Sequence, residues 1–489
     1  MILALRLRMG ILLCASACPL TAQAQSGYNQ TLDRRFTLRD PAPLRLEAES
    51  DRMIRGGKRF SFIFPRPCFS GVDSSRVCGE RHGLTYGDST AAEWISFSPE
   101  GGYEYRRNGE NAHALELGSL ITGSKGQISY NLDARMYTEF HEDFLHASYD
   151  REFVERQDEA TSGSVSYSSY SRYRADFDYD LPWGRFSLGR DVPHWGPGLY
   201  GNLVFNRDAV PFNQVTFTSS IGPFRVQTLY GQLSTSGDRF YKAETSNSSV
   251  YGHRYEWSIG PDWLAGVSEQ LIVFDSEEPF AFIPIVPLFI FKGDAYEHLN
   301  NGSLAADLNW RFARWGRMYT EFLIDDMQSP TSLFGDQWGN KWAAMAGCHA
   351  VGDIRSLAVG GILEAARVEP WVYTHYDSMT SQAANGGYPL GNQLGPNSLS
   401  LTAAAYLRSP RGLTLSSTLK LEWKGTDLGS SVHDVWKDGV VEKTFLGGQE
   451  GPEVAERFEC SAPFGRTTIS AAADLKREPQ GRLSLFFRL

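Results

Sequence analysis

The stretch ISYNLDARMYTEF, residues 128–140, alternates apolar and polar side chains with a period of two residues. Its even positions include Leu132 and Phe140, whereas its odd positions include Asp133 and Arg135. Consecutive side chains of a β-strand point to opposite faces of the sheet. The stretch therefore predicts a strand with one apolar face and one charged face.

The same alternation recurs at residues 173–181, 251–259, 304–312 and 413–424. Strands of about ten residues with one apolar and one polar face are typical of a transmembrane β-barrel with a wet lumen. A soluble β-sandwich has the same period but rarely contains so many long strands with charges on the second face. The longest apolar run, residues 279–291, contains Pro284 and Pro287 and is too short for a spanning helix.

The connections between these strands alternate in length. Short turns are predicted at residues 124–126, 182–184, 221–223, 261–265, 313–314, 352–354, 409–411 and 463–465. Long connections are predicted at residues 141–170, 192–212, 235–250, 276–302, 326–340, 377–396 and 425–452. Bacterial outer-membrane barrels have this asymmetry, and their short turns face the periplasm. The sequence thus predicts an all-β fold, an antiparallel transmembrane β-barrel of about 18 strands with short periplasmic turns and long inward-folding extracellular loops.

The ends of the chain indicate export. Residues 1–24 combine Arg6 and Arg8 with an apolar run and a small-residue cleavage pattern, the layout of a secretory signal peptide. We assign residues 25–98 to a periplasmic or plug segment and residues 99–489 to the barrel. The alternating C-terminal residues predict recognition by the barrel-insertion machinery. We expect a monomer in the bacterial outer membrane, in contact with its lipid.

Charge and cysteine content narrow the possible partners. Loss of Arg6 and Arg8 with the signal peptide changes the formal net charge from −10 to −12, which argues against nucleic-acid binding. Four cysteines then remain in an oxidising compartment. Cys68 and Cys78 are close enough in sequence to close a small disulfide loop. Cys348 and Cys460 lie in separate predicted strands, where either a disulfide or two free thiols is possible.

The long connection after the strand that ends near residue 190 is unusually rigid in composition. Pro193 and Pro197 fix the backbone φ angle, while Gly196 and Gly198 allow positive φ. Trp195 and other bulky aromatic residues make this segment a loop that folds inward and packs. At the mouth of a barrel, such a loop would act as a plug, and we expect Arg190 and Asp191 to form an internal ion pair that seats it.

Three separated runs resemble one known family. They are Gly189-Arg190-Asp191 with His194-Trp195-Gly196-Pro197-Gly198, Glu321-Phe322-Leu323-Ile324-Asp325-Asp326, and Gly387-Tyr388-Pro389-Leu390-Gly391-Asn392 leading to Gly395-Pro396-Asn397. Together these runs resemble the Wzi-type capsule assembly proteins. The resemblance implies an outer-membrane barrel of 18 strands that acts as a lectin and holds secreted polysaccharide at the cell surface. The family's periplasmic helical bundle is not indicated by residues 25–98, which show little helical period.

A lectin needs aromatic faces for sugar rings and fixed polar groups for hydroxyls. The candidate binding residues in the long loops are Trp338, Asn340, Trp342, Tyr373, Tyr376, Asp377 and Trp436. A membrane-interface girdle is the alternative role for Trp342 and for Trp371. Asp325 and Asp326 point to opposite faces of a strand, so hydrogen bonds to neighbouring loops are favoured over a shared calcium ion.

These observations lead to two hypotheses of function and argue against a third. The first is a non-enzymatic lectin for capsular or other surface polysaccharide, without a cofactor or metal. The alternative is a porin or substrate-specific channel, which the charged lumenal faces would suit. An enzyme is not expected, because no serine, histidine and third orienting group share a convincing spacing.

Overall fold

A computed structural model of the protein describes residues 84–86, 93–108, 110–141, 155–162, 165–234, 248–274, 278–293, 300–313, 315–375, 381–437, 439–449, 451–464, 467–475 and 480–488. The predicted signal peptide, most of the segment assigned to residues 25–98, and the candidate disulfide between Cys68 and Cys78 lie outside the described residues. Among the described residues, no helix is long and apolar enough to cross a membrane.

Eighteen long strands form the wall in the part of the chain that the structure describes. They are β1 (Glu93–Asn108), β2 (Glu110–Lys125), β3 (Ile128–His141), β4 (Val165–Leu181), β5 (Gly184–Asp191), β6 (Phe212–Ile221), β7 (Phe224–Gln232), β8 (Ser248–Ile259), β9 (Trp263–Phe274), β10 (Asn301–Ala313), β11 (Gly316–Asp326), β12 (Lys341–Ile354), β13 (Leu357–Val368), β14 (Ser398–Arg408), β15 (Thr414–Lys424), β16 (Glu453–Phe464), β17 (Thr467–Leu475) and β18 (Gln480–Arg488).

Each strand pairs antiparallel with the next, and β1 pairs with β18 to close the ring, for example at Gly102 and Phe486. The sheet contains 20 strands in the described part of the chain. Two of them, Leu84–Tyr86 and Glu155–Ser162, only extend the edges of β1 and β4, which leaves 18 in the ring. The fold class predicted from sequence is confirmed. The first strand begins at Glu93, earlier than the predicted boundary at residue 99.

The alternation of apolar and polar residues explains why the sheet closes into a barrel. Along β11, Met318, Phe322 and Ile324 face outward and are exposed or partly exposed, whereas Arg317 and Glu321 face inward and are buried. A one-residue shift of register would exchange these two faces, so the pattern fixes the register. The outward face is the apolar belt expected of a membrane-spanning barrel.

Ion pairs fill part of the lumen between neighbouring strands. Arg135 of β3 lies 2.6 Å from Glu100 of β1 and 2.9 Å from Glu116 of β2. Arg254 of β8 lies 2.8 Å from Asp307 of β10. All five side chains are almost completely buried, and a buried charge is tolerable only when it is paired and hydrogen-bonded. These pairs therefore close space that an open channel would leave to water.

The loop between β5 and β6, residues 192–211, folds into the barrel, and we call it the plug. Trp195 in the plug is only 1% exposed, and Phe205 is fully buried. Trp195 packs edge-on against Phe205, with ring centroids 4.9 Å apart, and its indole N–H donates to Gln227 of β7 at 2.7 Å. This loop folds inward as the sequence predicted.

The expected ion pair between Arg190 and Asp191 is wrong. Asp191 instead pairs with Arg174 of β4 at 3.1 Å, and the Arg190 guanidinium lies 5.3 Å from the ring centroid of Tyr173. Arg190 and Asp191 are consecutive in a strand, so their side chains point to opposite faces and each contacts the neighbouring strand instead.

Not every long loop folds inward. Residues 278–293, between β9 and β10, form two 3₁₀ turns, Pro279–Phe282 and Leu288–Gly293. These turns lie against the outer face of the wall, where Ala281 and Leu288 pack with Tyr251 and Leu271. The prediction of inward folding is therefore wrong for this loop. The apolar run reported above covers outward-facing residues of β8 and β9 instead.

Candidate functional site

The plug is fixed by side chains of the barrel wall. The Glu364 carboxylate of β13 accepts the backbone N–H groups of Leu199 at 2.8 Å and Tyr200 at 3.0 Å. Glu321 of β11 accepts the backbone N–H of Leu203 at 2.9 Å. Because Trp195 is held by β7, these contacts attach the plug to well-separated parts of the wall. The plug therefore crosses the lumen rather than lining one side of it.

The motif residues of the plug have structural contacts. Arg317 donates to the carbonyl oxygen of Pro197 at 2.9 Å. The Asn202 side chain accepts the backbone N–H of Gly198 at 2.6 Å, and its amide nitrogen lies 3.2 Å from Nδ1 of His194. Gly196 has a φ angle of 109°, a conformation that only glycine adopts readily. These contacts define the shape of the loop without requiring a ligand.

Three outer loops join above the plug, and we call this assembly the cap. It comprises the described residues of 327–340, 369–397 and 425–452. Backbone N–H groups connect the loops, from Trp338 to the Val441 oxygen at 3.1 Å and from Trp371 to the Gly429 oxygen at 2.9 Å. A β-bridge between Gln337 and Glu442 adds a further connection. The cap is therefore one hydrogen-bonded layer.

Three tryptophans meet in the cap, and we call them the tryptophan cluster. The rings of Trp338 and Trp436 stack with centroids 5.3 Å apart and planes at 25°. Trp371 meets Trp338 edge-on at 6.0 Å and is buried, whereas Trp338 and Trp436 are partly exposed. The Trp436 indole N–H donates to the Val440 oxygen at 2.8 Å, which fixes its ring. An ordered aromatic surface of this kind can stack on a sugar ring without first losing side-chain entropy.

Polar groups surround the tryptophan cluster. His433 and Lys437 are exposed on the same segment as Trp436. The Asp434 carboxylate accepts the backbone N–H groups of Gly429 at 2.8 Å and Ser431 at 2.9 Å, so it shapes the loop and has less freedom to contact a ligand. The histidine and lysine are thus the groups next to the exposed indole that can reach hydroxyl or acidic groups of a ligand.

A buried ion pair supports the cap from beneath. Lys443 lies 2.8 Å from Glu369 and also donates to the backbone oxygen of Asn340. Burial lowers the pKa of Lys443 from its ordinary value, while the hydrogen bond and charge of Glu369 oppose that shift. The pair connects all three cap loops, because Asn340 belongs to the first, Glu369 begins the second and Lys443 belongs to the third. Sequence reasoning missed Lys443, because a lone lysine in a long loop carries no periodic signal.

Two of the sequence-predicted sugar contacts are wrong as contacts. Asn340 is fully buried, and its amide donates to the Ser332 oxygen at 2.6 Å and accepts from the Gln328 N–H at 3.1 Å. Tyr373 is also buried, and its hydroxyl donates to the Leu203 oxygen of the plug at 2.8 Å. Burial raises the pKa of Tyr373 above its usual range. Both side chains hold loops together.

The remaining aromatic candidates lie in different places. Trp342 lies opposite Ile324 in the register, on the outward face, where it stacks with Phe322 at 5.9 Å. That placement fits the girdle role considered above. Trp371, the other girdle candidate, lies inside the cap. Tyr376 and Asp377 lie outside the described residues.

The family-like acidic and glycine-containing runs also connect loops. Asp325 accepts the backbone N–H of Tyr373 at 2.7 Å, whereas Asp326 accepts the N–H of Met327 next to it at 2.9 Å. Asn397 donates from its side chain to the Ser430 hydroxyl at 2.8 Å and accepts the Leu446 N–H at 2.6 Å.

Gly395 has a positive φ angle of 73°, and the Pro396 oxygen accepts a hydrogen bond from Lys424. Together these residues attach the second and third loops of the cap to the wall. Their contacts within the protein give these residues a structural role.

Cysteines and metal-binding groups add no further site to the described structure. Cys348 in β12 and Cys460 in β16 are both free thiols. Within the described ranges, no group of three or more histidine, cysteine, aspartate or glutamate residues is arranged to hold a metal ion.

Several solved structures of outer-membrane proteins are similar to this chain. Escherichia coli Wzi is described as an outer-membrane protein involved in group 1 capsule assembly and as a carbohydrate-binding β-barrel. It matches with a TM-score of 0.51 and 13% identity, over 80% of this chain and 84% of Wzi. The fold is that of an outer-membrane β-barrel. Pseudomonas aeruginosa OccK5 (OpdH) and OpdK, the latter solved with vanillate, match with TM-scores of 0.40 and 0.43 and identities of 11% and 10%, over 81% of this chain and 98% of each. No family model and no curated protein matches the chain.

Proposed function

We propose that this protein is a non-enzymatic, polysaccharide-binding barrel of the bacterial outer membrane that organises capsular or other extracellular polysaccharide at the cell surface. The observation that carries the proposal is the combination of a plugged lumen with an ordered, partly exposed aromatic surface at the cap. Trp195 is buried within the lumen, whereas Trp436 presents a partly exposed indole above it. The three sequence runs that resemble Wzi-type proteins support the same function.

The proposal assigns the ligand contact to Trp436 with His433 and Lys437, rather than to the buried residues Asn340 and Tyr373. A carbohydrate ring would stack on the exposed part of the indole, and the imidazole and ammonium groups would bind hydroxyl or carboxylate groups of the polymer. The proposal includes a monomeric barrel, exported and inserted by the barrel-insertion machinery, with no cofactor.

Binding to polysaccharide from the host's own cell surface tests the proposal. Affinity electrophoresis of the purified barrel in gels containing that polymer should show retardation that grows with polymer concentration. Deleting the gene should also release polymer from the cells into the medium. Unretarded migration together with an unchanged amount of cell-attached polymer would refute the proposed function.

A channel is the second candidate, since charged residues such as Arg135 and Arg254 line the inner face of the wall. Their pairing and burial favour a closed barrel. Planar-bilayer recordings separate the two functions, because a channel conducts ions in steady state and a plugged lectin does not.

A further inference from the structure

The 3₁₀ segment at residues 278–293, which we call the flap, lies on the outer face of the barrel. The inner face is identified by the plug, since Gln270 of β9 donates to the Val204 oxygen at 3.4 Å. Tyr251 and Leu271 occupy the opposite face and lie directly across from each other in the register of β8 and β9. The flap packs on these two residues through Ala281 and Leu288. Its turns contact β7, β8, β9 and β10.

Specific hydrogen bonds fix the flap to the wall. The Tyr255 hydroxyl donates to the Pro284 oxygen. The Glu278 N–H donates to the Tyr251 hydroxyl at 3.1 Å, and the Leu288 N–H lies 3.4 Å from the Glu269 carboxylate. The acceptors and donors on the wall all belong to outward-facing positions of β8 and β9. The flap is therefore a fitted part of the fold, with a defined position on the outside of the barrel.

The flap reaches well down the wall. Tyr255 lies four residues before Ile259, where β8 ends at a short turn. With a rise of about 3.3 Å per residue and the usual strand tilt, Tyr255 is about 10 Å above that end of the barrel. The apolar band of an outer-membrane barrel is about 25 Å tall. Pro284, bonded to Tyr255, thus lies at the depth of this band.

The inner side of the flap covers polar groups of the wall. His253 and Thr228 face each other across β8 and β7 at outward positions, yet both are completely buried. The Nδ1 atom of His253 lies 3.4 Å from the Glu269 carboxylate and 3.3 Å from the Tyr255 hydroxyl. Without the flap, these groups would face the surroundings of the belt. The flap gives this part of the wall an apolar exterior.

The outer side of the flap is strongly apolar. Ile285 is 87% exposed and Phe289 is 70% exposed, and Phe280 and Ile290 are exposed beside them. These side chains continue the belt formed by Val267 and Leu304 on the adjacent strands.

The backbone of the flap also suits an apolar solvent. Prolines at 279, 284 and 287 have no N–H group to satisfy. Local bonds run from the Ala281 N–H to the Glu278 oxygen and from the Val286 N–H to the Ile283 oxygen. Backbone that is neither helix nor closed sheet is tolerated at membrane depth only where it is covered by protein, and the flap meets this condition on its inner side, where it packs on the wall.

We propose that the flap is inserted into the apolar band of the membrane, where the acyl chains of the lipid contact Ile285 and Phe289 and the covered polar groups stay out of the lipid. The inference relies on the outer-membrane location given above and is independent of polysaccharide binding. A lipid partner is favoured because the exposed face is continuous with the belt, lies at its depth and carries no charged side chain between residues 279 and 291.

Site-directed spin labelling tests this proposal. A label is attached to a single cysteine at position 285, or at 289 as a second reading, in a chain whose other cysteines are serine. The barrel is refolded into lipid bilayers, and folding is checked by its heat-modifiable electrophoretic mobility. Collision rates with oxygen, which concentrates in lipid, and with a water-soluble nickel chelate are then compared. Leu304 in the belt and Leu428 in the cap provide lipid and water references.

The flap labels should match the label at position 304, with high oxygen and low nickel accessibility. Nickel accessibility equal to that at position 428 would overturn the proposal, because the flap would then lie in water. Protection from both reagents would also overturn it, in favour of a protein contact such as a second copy of the chain. If position 304 itself were water-accessible, the proposed membrane location would fail, which separates that failure from a failure of the flap.

Discussion

Glu364 provides the sharpest test of the closed lumen. Its carboxylate accepts three hydrogen bonds, from the Leu199 and Tyr200 backbone at 2.8 and 3.0 Å and from the Tyr319 hydroxyl at 2.7 Å. Replacing Glu364 with leucine keeps the volume roughly constant but leaves three buried donors without an acceptor. Each such donor costs about 1 to 3 kcal/mol, and partial relaxation should reduce the total to about 3 to 6 kcal/mol.

This loss acts on the docked plug more than on the wall, since β13 keeps its backbone ladder. A change of about 3 to 6 kcal/mol multiplies the population of undocked plugs by about two to four orders of magnitude. In planar bilayers, Glu364→Leu should therefore show frequent openings where the wild-type protein is silent. Tyr319→Phe, which removes only one donor, should show fewer.

The control is Glu422→Leu. Glu422 is a lumenal carboxylate whose nearest cation is Lys420, at 3.9 Å, and its removal should leave conductance unchanged. All variants are checked for the folded barrel by heat-modifiable mobility. If Glu364→Leu folds and stays as silent as the wild-type protein, or if Glu422→Leu conducts equally well, the plug is not held in the way described.

Three other perturbations follow from the same structure. Trp436→Ala should weaken polysaccharide retention by about 1 to 2 kcal/mol, or about 5- to 30-fold, in affinity electrophoresis, whereas Trp342→Ala on the outward face should have no effect. Gly198→Ala places a Cβ atom 2.6 Å from Asn202 Oδ1 and 2.8 Å from Met345 Cε, and overpacking of about 1 to 3 kcal/mol should lower stability in urea unfolding. Gly352→Ala, whose Cβ atom would lie 3.9 Å from Val359 Cγ2, should cost less. Replacing residues 279–291 with a glycine-serine linker should lower the free energy of unfolding of the barrel in bilayers by about 2 to 4 kcal/mol, because polar wall groups would then face lipid. The double substitution His253→Val with Glu269→Leu should recover most of that loss. If it recovers none, the flap does not shield these groups.

The sequence predicts the wall well because the wall repeats. Water on one side and lipid on the other impose a period of two on every strand, so Met318 outside and Glu321 inside can be assigned from their positions alone. Turn lengths carry similar information, and the predicted turn at 182–184 agrees with the structural turn at residues 182–183. The loops have no such periodic pattern from which side-chain positions could be predicted.

Loop side chains have partners that sequence spacing does not reveal. Tyr373 binds the Asp325 carboxylate, 48 residues away, and the Leu203 oxygen, 170 residues away. Tyr373, an aromatic residue beside polar ones in a loop, was therefore predicted to contact a sugar, whereas in the structure it connects the cap to the wall and the plug. The direction of the flap was equally hidden, because an apolar loop can fold into the lumen or over the outer face.

The way in which the cap is attached limits where a ligand can act. The plug reaches the cap through Tyr373, whose hydroxyl also accepts the Asn392 N–H at 3.1 Å, and the cap reaches the tryptophan cluster through Trp371. A polymer chain that entered the lumen would have to break the Glu364 and Glu321 contacts and leave buried carboxyl and N–H groups without hydrogen-bond partners, which is costly. A chain that bound at Trp436 would break none of them. The proposed polysaccharide binding therefore requires the surface of the cap, and the plug contributes by holding that surface in place.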